Sequence, residues 1–405
     1  MVELDRLADA LAEIRTVQID RQRCLRCRTP RSTCSACAAV CPEGAVSPEG
    51  LPEVAECSGC GLCAAACRAD AILLDNPSDQ ELLRRFARAA RGGRTLTVAC
   101  ARATPPAGSD ALTVGCLGRL GPELLLAAAA CGAGRIRLLV PTEGCDPCPS
   151  RAGAAMFQSA AAEARRVLAG LLHPCEIAVA DASAVAERTV SGPNLGLHRH
   201  PDSGPDQRPE RTRVDLPPNS ERRAFLRSAL GLLRQALPAP AAAQAPEPFT
   251  PSTSRRRELL LWALERLETE AGAPPDGLAW GPAAVYLTGT CHRCAVCVRL
   301  CPNGAMRLDE GGLMLFHRQC HACGLCTQVC PAGALSLGAP RPLSFLRSAD
   351  PDRLGSPQVI RCAACGQEEQ VVVASGTAAS EAADHRCLAC ALRRPQPANA
   401  EVTGP

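Results

Sequence analysis

The sequence predicts a multidomain α+β chain. A cysteine-rich module occurs twice, a central α/β domain with a parallel sheet lies between the copies, and a small β-rich tail is tied by paired cysteines. Three observations predict this. The 27 cysteines fall in blocks: nine in residues 24–67, six in 95–180, eight in 291–338 and four in 362–390. "CSACAAVCPEGAV" followed by "CSGCGLCAAACRADAILL" shares its cysteine spacing and order with "CAVCVRLCPNGAM" followed by "CHACGLCTQVCPAGALSL". Residues 92–182 alternate strand-like and helix-like runs.

A chain of 405 residues has room for two to four domains. Apolar residues make up 46 % but aromatics only 2 %, so the cores must rest on Ala, Leu and Val. There is no lysine; all 44 basic residues are arginine. A net charge of +3 gives no electrostatic case for nucleic acid or an anionic membrane. Clustered cysteines in a chain of this length suit thiolate metal sites in a reducing compartment better than a secreted disulfide scaffold. The opening "MVELDRLADALAEIRTVQID" carries charges throughout and reads as an amphipathic helix, not an export leader. No uninterrupted apolar run is long enough to span a membrane. A cytoplasmic protein is expected. "SERRAFLRSALGLLRQALPAPAAA", from Ser220, has a twin-arginine look, but its apolar run is broken by Arg234 and it lies far from the amino terminus. It reads as a short linker helix.

The expected division is 1–90 for an amino-terminal helix and the first module, and 91–184 for the α/β domain. Residues 185–254 form a Pro/Arg-rich flexible linker, 255–345 a helix and the second module, and 356–395 the tail. "RRRELLLWALERLETEAG", residues 255–272, has apolar residues at helical spacing and ends on Gly.

In the second module the pattern is Cys291-x2-Cys294-x2-Cys297-x3-Cys301-Pro302, then Cys320-x2-Cys323-x2-Cys326-x3-Cys330-Pro331. Three thiolates at i, i+3 and i+6 in a turning loop reach three corners of a [4Fe–4S] cube, and the fourth ligates the other cluster. One cluster therefore takes Cys291, Cys294, Cys297 and Cys330; the other takes Cys320, Cys323, Cys326 and Cys301. Gly324 lets the backbone pass close to its cluster. Zinc, which wants four thiolates in two pairs, fits two swapped runs of four poorly. Residues 291–338 resemble a two-cluster bacterial ferredoxin, which implies a small pseudo-two-fold α+β fold and one-electron transfer.

The first module is regular in its second half, Cys57-x2-Cys60-x2-Cys63-x3-Cys67, with Arg68 in place of proline. In the first half, Cys34, Cys37 and Cys41-Pro42 fit, but the expected first cysteine falls at Arg31. Cys24 or Cys27 must substitute through a longer loop, at small entropic cost. The expected sets are Cys57, Cys60, Cys63 and Cys41 for one cluster, and Cys34, Cys37, Cys67 plus Cys24 or Cys27 for the other.

In the central domain, strands are expected at "RTLTVAC", "ALTVGCLG", "RIRLLVP" and "EIAVAD", and helices at "GPELLLAAAACGAG" and "RAGAAMFQSAAAEARRVLAGLL". Cys100 and Cys116 then end strands, and Cys145 and Cys148 follow a third, so all four gather at the carboxyl rim where open α/β sheets bind ligands. Cys131 and Cys175 read as small buried hydrophobes. On "VGCLGR" and the later "GCDPC", the segment resembles the small iron–sulfur (delta) subunit of methyl-viologen-reducing hydrogenase, which accompanies heterodisulfide reductase. That resemblance implies a [2Fe–2S] cluster on Cys100, Cys116, Cys145 and Cys148.

In the tail, Cys362-x2-Cys365 and Cys387-x2-Cys390 flank a β-rich segment and suit a zinc ribbon with four thiolates; a rubredoxin-like iron is the alternative. There is no dinucleotide fingerprint, no Walker A loop and no nucleophile–base pair. His292 and His321, between cluster cysteines, are expected to face solvent. The whole predicts an electron-wiring subunit with four [4Fe–4S] clusters, a [2Fe–2S] cluster and zinc. It would run between a carrier and a redox enzyme or flavoprotein partner: a hydrogenase, a formate dehydrogenase or a heterodisulfide-reductase-like protein. The alternatives are a redox sensor acting through the tail and a cluster scaffold.

Overall fold

The computed structural model describes residues 17–46, 57–74, 77–106, 109–182, 255–271, 277–281, 283–374 and 385–393. The expected linker, the stretch from Ser220 and most of the expected amino-terminal helix lie outside the described residues. The helical reading of the first twenty residues fails at its end. Val17–Ile19 is a strand, β1, whose β-branched residues pair antiparallel with β2, Ile72–Leu74.

That pairing closes the first cysteine-rich module, since a strand just before the first thiols pairs with one just after the last. In the central domain, β3 (Thr95–Cys100), β4 (Leu112–Val114), β5 (Arg135–Val140) and β6 (Glu176–Asp181) form one parallel sheet in the order β4-β3-β5-β6. The inner strands carry a buried apolar core: Leu96, Val98, Ile136, Leu138 and Leu139 are fully buried, as a parallel sheet covered on both faces requires. The expected strand at 111–118 stops at Val114, because the chain tightens into a 3-10 turn, Leu117–Arg119. Cys116 therefore caps that turn instead of ending a strand. No helix lies between β3 and β4 among the described residues.

The helix Pro122–Ala130 has no polar face; all of Leu124–Ala130 is buried. A helix apolar all round must be covered on every side. The helix Arg255–Ala271 supplies one cover: Leu259, Leu260, Ala263, Leu264 and Leu267 join the same core. The helix Asp79–Ala89 supplies another through Leu82, Leu83 and Phe86, with Ser78 capping it by accepting the Glu81 N–H. Boundaries drawn at 90 and 255 cut across this packing.

The second module repeats the first: β7 (Ala284–Leu287) pairs antiparallel with β10 (Leu335–Gly338). It adds a hairpin of β8 (Met306–Asp309) and β9 (Gly312–Leu315), extended by β11 (Asp352–Arg353). The tail is a second hairpin, β12 (Gly355–Arg361) with β13 (Glu368–Ala374), followed by a short helix, Leu388–Leu392. Val372 is fully buried in the core of the second module, and its backbone bonds Cys291 in both directions at 2.8 Å. Among the described residues no helix is long and apolar enough to cross a membrane.

Candidate metal centres

Each cysteine run bends round a small cavity. In the second module one cavity is lined by Cys291, Cys294, Cys297 and Cys330, and another by Cys301, Cys320, Cys323 and Cys326. In the first module one is lined by Cys41, Cys57, Cys60 and Cys63, and another by Cys24, Cys34, Cys37 and Cys67. The structure thus brings the fourth cysteine of each run to the other run's cavity. Of the two candidates left open by the sequence, Cys24 lines the irregular cavity and Cys27 does not. The Asp20 carbonyl accepts the Arg23 and Cys24 N–H groups, and this turn presents Cys24 ahead of the Leu25–Arg28 helix.

The local backbone explains the spacing. Three loops place a left-handed residue two and four positions after their first cysteine: Gly59 and Gly61, Arg293 and Ala295, Ala322 and Gly324. The alternation turns successive N–H groups inward, a geometry that favours anionic sulfur. Gly59 N–H donates to Cys57 Sγ at 3.3 Å and Ala322 N–H to Cys320 Sγ at 3.5 Å. The irregular loop has Ser35 at φ −131° instead, consistent with its first thiol coming from elsewhere. After each fourth cysteine the third residue is again left-handed: Gly44, Gly304 and Gly333, but Asp70 in the run that lacks proline. The following N–H donates to the fourth sulfur: Ala71 to Cys67 at 3.3 Å, Ala305 to Cys301 at 3.2 Å, Ala334 to Cys330 at 3.3 Å.

Burial, with neighbouring thiols adding, pushes Cys63 and Cys297 up to about 12 and Cys323 up to about 11; Cys326 rises further. Bare, these thiols stay protonated at neutral pH, so a metal must displace their protons.

At the rim of the central sheet, Cys100 ends β3 and Cys116 Sγ accepts the Gly118 N–H at 3.4 Å. Arg102 donates its backbone N–H to Cys100 Sγ at 3.5 Å and its guanidinium to Cys148 Sγ at 3.8 Å. Burial pushes Cys116 up to about 12, with Cys100, Cys60 and Cys148 near enough to add to the shift. Cys145 is raised by burial and by Cys100 and Cys148. The four expected rim thiols are therefore neighbours. Cys175 is buried, and Cys131, at its helix end, packs against the core; burial raises both to about 11.

The four tail sulfurs, Cys362, Cys365, Cys387 and Cys390, lie within 4.8 Å of one another. Thiolates about 2.3 Å from a tetrahedral zinc are about 3.8 Å apart, and the Cys365 and Cys387 sulfurs are separated by 3.8 Å. The backbone N–H of Cys387, at 3.3 Å, leads the groups that hold Cys362 down at about 6.

Contacts link the centres. A Cβ built on Gly115 would lie 2.8 Å from the Gly59 carbonyl and 3.0 Å from Cys60 Cα, so the sheet rim touches the Cys57 loop directly. Leu25, Ala69 and Ala71 of the first module form one cluster with Leu325 and Val329 of the second, against which Cys24, Cys34, Cys67 and Cys323 pack. Arg28 donates to the Leu300 and Arg299 carbonyls at 2.8 and 2.9 Å. A cleft between the modules has Cys67 and Cys320 in its walls.

Two expectations fail. His292 and His321 do not face solvent. His292 pairs with Glu369 at 3.0 Å with its side chain 7 % exposed, because β13 closes over it. His321 is covered in the inter-module cleft, and burial lowers it to about 3, leaving a neutral ring. The sequence reading also missed Asp70 and Arg256 at the module junction, and Glu369 and His385 in the tail. Arg68–Asp70 in place of Pro-x-Gly, and histidine beside a CxxC pair, are the only local signals of them.

Residues 290–335 match the 4Fe-4S dicluster domain family, so this segment carries a ferredoxin-type iron–sulfur domain. No curated protein and no solved structure matches the chain.

Proposed function

We propose that the chain is an electron-relay subunit. It would pass single electrons between a catalytic redox partner, such as a hydrogenase, formate dehydrogenase or heterodisulfide-reductase-like flavoprotein, and a carrier. Cys24, Cys34, Cys37 and Cys67 hold one [4Fe–4S] cluster, and Cys41, Cys57, Cys60 and Cys63 a second. Cys291, Cys294, Cys297 and Cys330 hold a third, and Cys301, Cys320, Cys323 and Cys326 a fourth. Cys100, Cys116, Cys145 and Cys148 hold a [2Fe–2S] cluster, and the tail cysteines hold zinc. Such clusters, when bound, exchange one electron each.

One observation carries the reading: neighbouring residues link the thiol cavities one after another. Cys116 neighbours Cys60, the first module joins the Cys60 cavity to the Cys67 cavity, and Cys67 shares an apolar cluster with Cys323. The second module then leads to Cys291. Tunnelling falls exponentially with distance, so an unbroken series of neighbours suits a wire. EPR of the fully reduced holoprotein is expected to show spectra broadened by coupling between clusters. Sharp, non-interacting signals would sink the relay.

Three substitutions test the assignments. Cys24→Ser is expected to remove one cluster's iron and acid-labile sulfide, and Cys27→Ser to leave both unchanged. A Cβ on Gly153 would collide with Cys116 Sγ, so Gly153→Ala is expected to reduce the low-temperature [2Fe–2S] signal while the [4Fe–4S] signals persist. A redox sensor is a second reading, favoured by one contact: the Cys291–Val372 backbone pairing would transmit a change in the adjacent cluster loop to the tail hairpin.

A further inference from the structure

Where the tail hairpin closes on the Cys291 loop, three side chains from separate segments meet. His292 follows Cys291, Glu369 lies in β13, and His385 stands two residues before Cys387. His292 Nδ1 is 3.0 Å from Glu369 Oε2, and His385 Nε2 is 3.3 Å from the same oxygen. All three donor atoms lie within 4.8 Å of one another. The histidine side chains are 7 % and 6 % exposed and the glutamate 22 %. The two imidazoles stack with centroids 5.2 Å apart and planes 25° from parallel.

We propose that His292, Glu369 and His385 form a second metal site, separate from the four tail cysteines, that binds one divalent transition metal and ties the tail to the Cys291 loop. Donors about 2.0–2.1 Å from a common metal are about 2.9 Å apart at right angles and about 3.4 Å apart at the tetrahedral angle. The observed 3.0 and 3.3 Å fall within that interval. Two imidazoles and one carboxylate select zinc, iron, cobalt or nickel over magnesium or calcium. Three protein ligands leave a position for water or an exogenous ligand, unlike the closed set of four tail thiolates. The site is also held on each side: Cys291 is bonded to Val372 in both directions, and the His385 carbonyl accepts the Ala363 N–H at 2.8 Å. The ligands therefore need little rearrangement to bind.

The test is zinc-edge X-ray absorption on the untagged, full-length holoprotein after equilibration with zinc and removal of loose metal. Iron in the clusters does not contribute at that edge. The expected spectrum needs nitrogen or oxygen neighbours with imidazole outer-shell scattering, besides any sulfur shell from the cysteines. Glu369→Gln is expected to lose the light-atom component, with affinity down at least about tenfold, while iron content and sulfur shell stay. An all-sulfur wild-type spectrum would overturn the proposal and leave Glu369 as a hydrogen-bond acceptor shared by two rings. Light-atom scattering that persists in the variant would overturn it as well, since the metal would then lie elsewhere. If the variant loses its sulfur shell too, the hairpin has opened, and the imidazole scattering of the wild type alone decides.

Discussion

Cys330→Ser is expected to abolish the cluster begun at Cys291 and to spare the one begun at Cys320, although Cys330 is four residues from Cys326 and 33 from Cys297. Its sulfur lines the Cys291–Cys297 cavity, and the cavity beside its own run is completed by Cys301. The Ala334 N–H donates to the Cys330 sulfur in that position. Serine keeps the shape but is a poor thiolate substitute, so the loss is one cubane of the four. Cys301→Ser is the mirror experiment and removes the other. Iron and sulfide counts give the same answer for both variants; EPR potentiometry tells them apart, because the surviving cluster keeps its own midpoint potential. If Cys330→Ser instead removed the signal that Cys323→Ser removes, the crossed ligation would be wrong.

How much of this was legible in the sequence depends on what each feature needs. A cube with edges a few ångströms long constrains thiols to i, i+3 and i+6, so ligand runs can be read from spacing wherever the spacing is intact. The choice between Cys24 and Cys27 could not be read, because the Asp20 turn and not the spacing presents Cys24. The parallel sheet was legible through its apolar strands and helical breaks. The shortness of β4 was not, since it follows from the 3-10 turn that Gly118 makes against Gly153; a Cβ on Gly118 would lie 2.6 Å from Gly153 Cα. Least legible was what distant segments do to one another. The Arg255–Ala271 helix reads as amphipathic, yet nothing in its own pattern says that it covers the alanine-rich Pro122–Ala130 helix, far earlier in the chain. His292, Glu369 and His385 form a group only because β13 folds back on the Cys291 loop.

The largest stability effect is expected at Arg256. Its guanidinium lies 3.2 Å from Glu123, 3.6 Å from Asp79 and 3.8 Å from Asp70, and its backbone N–H donates to Asp70 at 3.0 Å. Asp79 also pairs with Arg119 at 2.9 Å, whose side chain is 1 % exposed. Burial alone would pull Arg256 down, but Asp79, Glu123 and Asp70 outweigh it and keep the guanidinium charged. Burial raises Glu123. The cost of these desolvated groups is met only while the set is complete.

Arg256→Met keeps the stem but takes the guanidinium away from Glu123, Asp79 and Asp70, which is expected to cost about 3–5 kcal/mol. Asp70 makes the site more than a packing detail. It holds a left-handed conformation, φ 54°, where the other three runs have glycine, and it sits between Cys67 and the strand that closes the first module. Its carboxylate ties that turn to the helix covering the central core. Adding Glu123→Gln removes one uncompensated charge, so the double variant is expected to recover part of the loss. Denaturant unfolding of the four members of this cycle measures the coupling. Additive losses would show that Arg256 and Glu123 are not energetically coupled, and this ion pair of the seam joining the module to the central domain would then carry no net stability.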